Sequence, residues 1–420
     1  MRASAMAVLL VVAGCEPAPP SPPPDAGVGD AEIDASAPDA GRDAGPTGCD
    51  VERVSPSVVE EDSEWPCGRW VLDGPVTVRP GVTLTLEPGT TLVAADDDAE
   101  VIVERDGRLI AEGTPTRPIV LRGEDGWEGV HLRGAARVND GACFEDPRPG
   151  TPECELPGWR ERRDERGVYG GDDDTADCGA LRYVRIVGAP LVLAGCGSAT
   201  LVSHVQVDAA PGDAVTVIGG TVPLGHLLIT GAVQDGLHIE RGWRGDAQLV
   251  AIASRDGQGE TAVYAANRED APTAEPRTDF RLWNLTLRGG GDGRVMWVEH
   301  GARAAIRNVV AAHFSAPPAF ALDETEWPEE VVLEHAVLWD VGAVEDEHED
   351  DAERLRDPER HIRLDLDPRL EGYRPLAALP EGAAPRFGPF TPADFGDRRA
   401  TFLGAIVPGG EDWTTGIAAP

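Results

Sequence analysis

The stretch Leu181-Arg-Tyr-Val-Arg-Ile186 introduces a six-residue phrase that returns as Val202-Ser-His-Val-Gln-Val207 and Leu224-Gly-His-Leu-Leu-Ile229. In each copy the first, fourth and sixth residues are apolar, the third carries a polar ring or an amide, and the second and fifth vary. Further copies lie at 282–287, 306–311 and 333–338, with a weaker one at 247–252. The first four copies begin about 21 to 23 residues apart, which is within the repeat range of a solenoid.

The phrase has the pattern of a strand that cannot bury its apolar face alone. Alternate side chains of a strand point to opposite faces, so Val184 and Ile186 share one face. If the chain coils once per repeat, Val184 lies beside Val205 and Leu227, about 4.8 Å apart, and the coils share one core. A second short strand is predicted in each coil at 191–193, 215–217, 237–239, 262–264 and 295–297. The sequence therefore predicts an all-β fold, a parallel β-helix.

The third residue of each phrase is predicted to form a polar ladder along one edge of the coils. Its members are Tyr183, His204, His226, Asn284, Asn308 and His335.

The composition is that of a turn-rich, strongly acidic protein. The chain has 50 glycines, 36 prolines and a net charge of −37, and every one of its 37 basic residues is arginine. This balance excludes non-specific nucleic-acid binding, which needs a basic surface. It also disfavours a polyanionic polysaccharide unless metal ions bridge the like charges.

The N-terminus predicts export and a lipid anchor. Arg2 is followed by an apolar run at 5–13 that is too short to span a membrane. Val12-Ala-Gly-Cys15 resembles the bacterial lipobox, so residues 1–14 are expected to be a lipoprotein signal peptide and Cys15 the lipidated residue. An ordinary secretory signal is the alternative. We expect an exported, membrane-anchored lipoprotein on the outer membrane, at the periplasmic side or the cell surface.

The rest of the chain divides into three predicted regions. Residues 15–48 are a Pro/Ala/Asp/Gly segment expected to be a disordered tether. The β-helix is expected over 49–342, with a long polar loop insertion at 134–177. Residues 343–420 are expected to form an acidic loop and a C-terminal cap over the last coil, because an open solenoid needs one.

Six cysteines remain after Cys15, and an even set in an exported chain indicates disulfides. Proximity favours three pairs, and six cysteines allow fifteen connectivities. The favoured pairs are Cys49–Cys67, Cys143–Cys154 and Cys178–Cys196.

Several longer motifs carry a resemblance to a known family. Residues 86–92, 107–119, 127–132 and 169–186 resemble the opening coils of bacterial right-handed parallel β-helix (pectin-lyase-like) surface proteins. The resemblance implies a single-stranded right-handed parallel β-helix in an exported, largely uncharacterised group, and it does not imply lyase activity. In such relatives acidic pairs occur near Asp213 and Asp235, where this chain keeps a single acid each.

The sequence can be compared with the catalytic motifs of the related enzymes. Pectate lyases hold calcium with acids and use a basic residue to abstract a proton, and polygalacturonases place three aspartates near Gly-His-Gly. None of the polygalacturonase phrases occurs here, and Gly225-His226 is followed by Leu227. Asp213 and Asp235 occupy equivalent corners one coil apart and are candidates for a carboxylate pair. The alternative is that both cap backbone groups in turns.

Metal and ligand candidates are few. Calcium is the one cofactor that the sequence suggests, because calcium prefers oxygen ligands and acidic residues cluster in one short segment. The alternative is that this segment is a solvated turn. The acids are Asp172, Asp173, Asp174 and Asp177. Trp283 and Trp243 are candidates for stacking on a sugar. Trp297 lies two residues after Val295 and so points to the same face of its strand, and it is therefore predicted to lie in the core.

Three functions are compatible with these features. The leading hypothesis is a non-catalytic, lipid-anchored β-helix of the bacterial envelope that binds a polysaccharide or an envelope protein. The alternative is a polysaccharide lyase or glycoside hydrolase of pectin-lyase-like fold. The third is a purely structural spacer.

Overall fold

Short segments with alternating apolar residues form the strands of this chain. The computed structural model describes residues 48–123, 126–139, 168–316, 319–323, 330–342, 353 and 355–418. The predicted signal peptide, tether and lipidation site Cys15 lie outside the described residues, as do most of the insertion and the acidic run after 342. The described residues belong to one compact unit, Pro46–Pro420. Among them, no helix has the length and apolarity needed to cross a bilayer.

The secondary structure is almost entirely strand. In chain order the strands are β1 (Glu52–Val54), β2 (Val58–Val59), β3 (Ser63–Trp65), β4 (Gly68–Leu72), β5 (Val76–Val78), β6 (Thr83–Leu86), β7 (Thr90–Ala94), β8 (Glu100–Val103), β9 (Arg108–Glu112), β10 (Ile119–Gly123), β11 (Gly129–Arg133), β12 (Gly179–Val187), β13 (Leu191–Ala194), β14 (Leu201–Asp208), β15 (Val215–Ile218), β16 (Leu224–Thr230), β17 (Leu237–Glu240), β18 (Asp246–Ala253), β19 (Thr261–Ala266), β20 (Asp279–Gly291), β21 (Arg294–Glu299), β22 (Arg303–Phe314), β23 (Phe320–Asp323), β24 (Val331–Val341), β25 (Ile362–Arg363), β26 (Leu370–Glu371) and β27 (Arg374–Pro375). Short 3₁₀ helices cover Gly48–Asp50 and Pro358–Arg360.

The strands form two long parallel sheets. One sheet has fifteen strands, in which β12, β14, β16, β18, β20, β22 and β24 follow one another, and the other has ten, from β2 to β23. Each coil from β12 to β23 gives one long strand to the first sheet and one short strand to the second. Parallel strands joined by such crossovers are right-handed in nearly all proteins. The predicted right-handed parallel β-helix is confirmed.

The stacking of the repeated phrase is confirmed residue by residue. Val184 pairs in register with Val205, and Val205 pairs with Leu227. All three side chains are completely buried. The coils therefore share one interior in which each strand packs against the equivalent position of its neighbours.

The backbone conformation at the third position of the phrase explains why polar residues recur there. Tyr183, His204 and His226 have φ values of 49°, 56° and 52°, and each bends its long strand at the corner between two straight halves. The left-handed conformation is uncommon for residues other than glycine, and asparagine and histidine are enriched in it. The same conformation recurs at Leu249, Asn284, Asn308 and His335.

The predicted ladder is present as stacked rings in its first half. The ring centroids of Tyr183 and His204 are 4.5 Å apart, and those of His204 and His226 are 4.1 Å apart. Burial lowers the pKa of His204 to about 4 and that of His226 to about 3, so both imidazoles are neutral at pH 7. Leu249 interrupts the column, because its copy of the phrase has leucine at the corner.

Two of the three favoured disulfides are confirmed. Cys49 bonds to Cys67, and Cys178 bonds to Cys196. The second bond joins the residue before β12 to a residue just after β13, so it closes one coil rather than linking adjacent coils. The third pair, Cys143–Cys154, lies outside the described residues and stays a prediction.

Described residues after 352 pack against the last coil. β25 pairs with β24, and Leu355 is buried in the main core.

The segment that follows has a role that the sequence did not predict. Residues 366–418, the C-terminal strap, run back along the outside of the fifteen-stranded sheet at the corners of the coils. Asn308 donates from Nδ2 to the carbonyl of Ala383 at 2.8 Å, and Asn284 donates to the carbonyl of Phe402 at 2.6 Å. The strap therefore satisfies the buried amides of the ladder.

Apolar contacts hold the far end of the strap. Ala405, Ile406 and Ile417 pack with Leu228 and Ala251 in a cluster separate from the main core. Trp413 lies edge-on to the His226 ring at 5.3 Å and donates from Nε1 to the carbonyl of Ala405 at 2.8 Å. One outer flank of the β-helix is thus covered by its own C-terminal segment.

Candidate binding face on the ten-stranded sheet

Successive strands of the ten-stranded sheet place a column of polar and aromatic side chains on its outer face. Thr216 is in register with His238, His238 with Tyr264, and Tyr264 with Trp297. These four side chains are half-buried, whereas their strand neighbours Val217, Ile239, Ala265 and Val298 are completely buried. We call His238, Tyr264 and Trp297, with the carboxylates Asp213, Asp235 and Glu299, the aromatic–acidic face.

The prediction that Trp297 lies in the core is wrong. Val263 and Ala265 are in register with Met296 and Val298, so these two residues of β21 point inward. Trp297 lies between them and points outward, where the Arg294 guanidinium lies 4.8 Å from its ring centroid. Val295 is buried as well as Met296, so burial does not alternate at the start of this strand and Trp297 does not share the environment of Val295.

His238 lies between the two aspartates that the sequence singled out. Its Nδ1 is 3.0 Å from Asp235 Oδ2 and 3.2 Å from Asp213 Oδ2. The backbone N–H of Asp235 also donates to Asp213 Oδ1 at 3.0 Å. The prediction that the two acids occupy equivalent corners of adjacent coils thus agrees with the geometry, and the histidine that joins them was missed.

The two carboxylates hold a charge on His238. Burial acts to lower the pKa of this histidine, but the hydrogen bonds that it donates to Asp213 and Asp235 outweigh it and raise the pKa to about 10. For Asp213, burial acts to raise the pKa, and the hydrogen bond and charge of His238 outweigh it and lower the pKa. The cluster is therefore an imidazolium clamped between carboxylates.

Tyr264 continues the face on the next coil. Its ring lies over the His238 ring with centroids 4.5 Å apart, and its hydroxyl donates to a carboxylate oxygen of Glu299. Burial and this hydrogen bond raise the pKa of the tyrosine above its ordinary value. His300 approaches the same carboxylate, with Nε2 3.4 Å from Oε1.

Metal ligation in the described part of the chain has one candidate donor set. Ligand atoms of Asp213, Asp235 and His238 all lie within 4.8 Å of one another. A divalent ion there would have to displace the proton that His238 retains up to a pKa of about 10, because a metal binds the neutral imidazole. The residues fit a metal poorly while that proton is present.

The calcium hypothesis for the acidic run after residue 171 is not supported, because its carboxylates have other partners. Asp174 contacts Arg244 at 2.6 Å and Arg137 at 3.0 Å, and Asp177 contacts Arg108 at 3.0 Å. Two further acids of the run do not converge with them: Asp172 is exposed, and Asp173 accepts from the backbone and hydroxyl of Thr175.

The space between the two carboxylates, which a glycosidase leaves for its substrate, is taken by an imidazole. The two catalytic carboxyl groups of such enzymes are about 5 to 9.5 Å apart, and one has a raised pKa. Here the ligand oxygens of Asp213 and Asp235 lie within 4.8 Å, with the same imidazole nitrogen between them. A glycosidic oxygen placed between the two acids would therefore have to displace this imidazole.

The two tryptophans predicted to stack on a sugar are both buried. Trp243 is completely buried, packs against Phe280 and donates to the carbonyl of Val222. Trp283 is 2% exposed, and the Arg307 guanidinium lies over its ring. That prediction is wrong, since the C-terminal strap and neighbouring arginines cover the flank on which Trp283 was expected to be exposed.

Comparison with known proteins agrees with the topology. Residues 60–355 match the family model described as a pectate-lyase like beta helix domain. No curated protein and no solved structure matched the chain. With its parallel coils and a family match over most of its length, this chain belongs to the pectate-lyase-like β-helix family.

Proposed function

We propose that this protein is an exported, lipid-anchored β-helix of the bacterial envelope that binds a neutral glycan on the aromatic–acidic face without cleaving it. The observation that carries this proposal is the column His238–Tyr264–Trp297, flanked by ordered carboxylates. Aromatic rings present apolar faces with polar edges, and ionised carboxylates accept hydrogen bonds from hydroxyl groups.

The charge of the chain supports a neutral ligand. A net charge of −37 and three carboxylates on the face, Asp213, Asp235 and Glu299, repel a polyanionic polymer. Hydroxyl-rich neutral sugars do not experience this repulsion. A repeating polymer also suits a face whose equivalent positions recur with the strand spacing of about 4.8 Å.

The protonation states support binding without cleavage. A lyase needs a group that accepts a proton near neutral pH. His238 is held protonated up to a pKa of about 10, and the pKa of Tyr264 is raised, so neither accepts a proton at pH 7. The two aspartates are engaged by the same imidazolium, which lies where a glycosidase would hold the scissile bond.

Export is supported by the cysteines and the N-terminal sequence. Two disulfides form within the described residues, and structural disulfides persist in oxidising compartments. The lipobox-like sequence ending in Cys15 supports an anchor at the membrane, on the periplasmic side or the cell surface.

Replacement of Trp297 tests the binding face. We expect Trp297→Ala to weaken binding of the best neutral oligosaccharide by about 5- to 30-fold, because loss of one aromatic platform costs about 1–2 kcal/mol. Calorimetric titration of the purified ectodomain with a panel of neutral and acidic oligosaccharides measures this effect. The matched control is Trp339→Ala, which removes a half-buried tryptophan from β24 of the other sheet and leaves affinity unchanged.

The same panel separates the competing functions. New reducing or unsaturated ends in the incubated glycans would show an enzyme and contradict the non-catalytic proposal. Equal weakening by both tryptophan replacements would move the site away from the aromatic–acidic face. If no glycan of the panel binds and the ectodomain self-associates, the protein is instead a structural spacer.

A further inference from the structure

A groove of about 400 Å³ lies on the opposite flank, between the fifteen-stranded sheet and the C-terminal strap. β20 contributes Arg281 and Trp283, β22 contributes Arg307, and the strap contributes Arg386. The strand register places Trp283 beside Arg307. This volume is within the range of small-molecule pockets, about 300 to 1,000 Å³, and it exceeds what a single bare ion needs.

The groove gathers positive charge in a very acidic protein. Within the described part of the chain, Arg281 and Arg386 form no ion pair within 4.0 Å. Asp246, which lies opposite Arg281 in the strand register, accepts from the backbone of Gly388 at 2.7 Å and from the Thr391 hydroxyl, and it interacts with the Arg281 charge only at longer range. Arg281 is therefore only partly neutralised, and Arg386 forms no ion pair with a described residue.

The third guanidinium is only partly engaged. Arg307 donates from Nε to Glu334 Oε2 at 2.8 Å, and among the described residues this carboxylate is the one acid that lines the groove. Three guanidinium groups thus line the groove with one carboxylate, and Asp246 lies behind Arg281. Guanidinium groups recognise phosphate and carboxylate by paired N–H donors, which makes such a cluster suited to an oxyanion.

Trp283 supplies an independent observation. Its side chain lines the groove and is 2% exposed, and its Nε1 has no hydrogen-bond partner among the described residues. A buried donor left unpaired costs about 1–3 kcal/mol. Other indoles of this fold are paired with backbone carbonyls: those of Trp70, Trp127, Trp243 and Trp413.

We propose that this groove binds a small organic oxyanion, a ligand the size of one or two sugar rings that carries a phosphate or carboxylate group. The anionic group lies among Arg281, Arg307 and Arg386, and the rest of the ligand lies against the small side chains of Ala305 and Ala384. The site is independent of the glycan-binding face, because it lies on the other sheet.

Calorimetric titration of the full ectodomain with three probes tests this site. The probes are glucose 6-phosphate, citrate and inorganic phosphate, at low and at high salt. We expect at least one organic probe to bind at least 10-fold more tightly than inorganic phosphate, with affinity that falls as salt rises. The double replacement R281Q/R386Q is expected to weaken that binding at least 10-fold, whereas R399Q, at a strap arginine whose side chain is 93% exposed, leaves it unchanged.

Tryptophan fluorescence locates the ligand. The change in emission on binding is expected in the wild type and lost in Trp283→Phe, which keeps the packing of the ring and removes the unpaired N–H. The proposal is overturned if no probe binds at 10 mM, if R281Q/R386Q binds as the wild type does, or if the emission change persists in Trp283→Phe. Equal affinity for inorganic phosphate and the organic probes would overturn the assignment of an organic ligand.

Discussion

Deletion of the residues after Arg363 is expected to destabilise the β-helix by on the order of 5 kcal/mol or more and to lower its melting temperature by about 10 °C. The strap buries Leu228 and Ala251 on one stretch of the flank and Val310 and Val337 on another. Without the strap these side chains meet water. Thermal unfolding followed by circular dichroism measures the loss, and dye binding reports the exposed apolar flank.

Two point replacements within the strap make this prediction specific. Trp413→Ala removes the edge contact with His226 and the hydrogen bond to Ala405, and we expect it to cost about 2 kcal/mol. Glu411→Gln changes an exposed strap residue and is expected to leave the melting temperature unchanged. A truncated protein that melts with the wild type would show that the strap contributes nothing to the fold.

Val205→Asp is expected to cost roughly 5 kcal/mol and to prevent native stacking of the middle coils. Val205 is completely buried between Val184 and Leu227 in adjacent coils, so the carboxylate has neither water nor a partner. Because each coil packs only on its neighbours, the damage spreads to the coils on both sides.

The control uses the same strand. Leu201→Asp also converts an aliphatic residue of β14 to aspartate, but Leu201 is 39% exposed. We expect this replacement to change the free energy of unfolding, measured by urea denaturation, by no more than about 0.5 kcal/mol. Equal midpoints for the two variants would contradict the shared interior on which the fold depends.

Local periodicity predicts the coils because the stacking itself is local. Val184, Val205 and Leu227 are each one repeat apart, and a repeat of nearly constant length brings equivalent residues into register. The corner residues Tyr183 and His204 also repeat, so their ladder could be read from the same pattern. The pairing Cys178–Cys196 joins the two ends of one coil and follows from proximity.

Contacts between segments that are far apart in the sequence produce no periodic pattern from which they could be predicted. The strap reaches Asn284 from Phe402, more than 100 residues later, and no repeat connects these positions. Trp283 was for this reason predicted to be exposed although the strap and Arg307 cover it. Trp297 was misassigned for a different reason, since Val295 and Met296 are both buried and the alternation of β21 starts one residue later than expected.

The cluster around His238 could be predicted from the sequence only in part. Asp213 and Asp235 stood out because they precede equivalent strands of adjacent coils. His238 lies on a strand between two apolar residues, Leu237 and Ile239, and this pattern alone indicates only an outward side chain. Its contact with both acids depends on the position of the preceding turn, which the sequence pattern does not specify.

The charge of His238 decides whether the aromatic–acidic face can act as a base. A nuclear magnetic resonance titration of the imidazole, assigned with a His238→Gln variant, measures its pKa directly. We predict that His238 stays protonated through pH 8 and releases its proton only near pH 10, where the clamp between Asp213 and Asp235 is lost. A pKa at or below the ordinary value of about 6.5 would contradict the clamp, and with it the account of this face as a binding surface without a catalytic base.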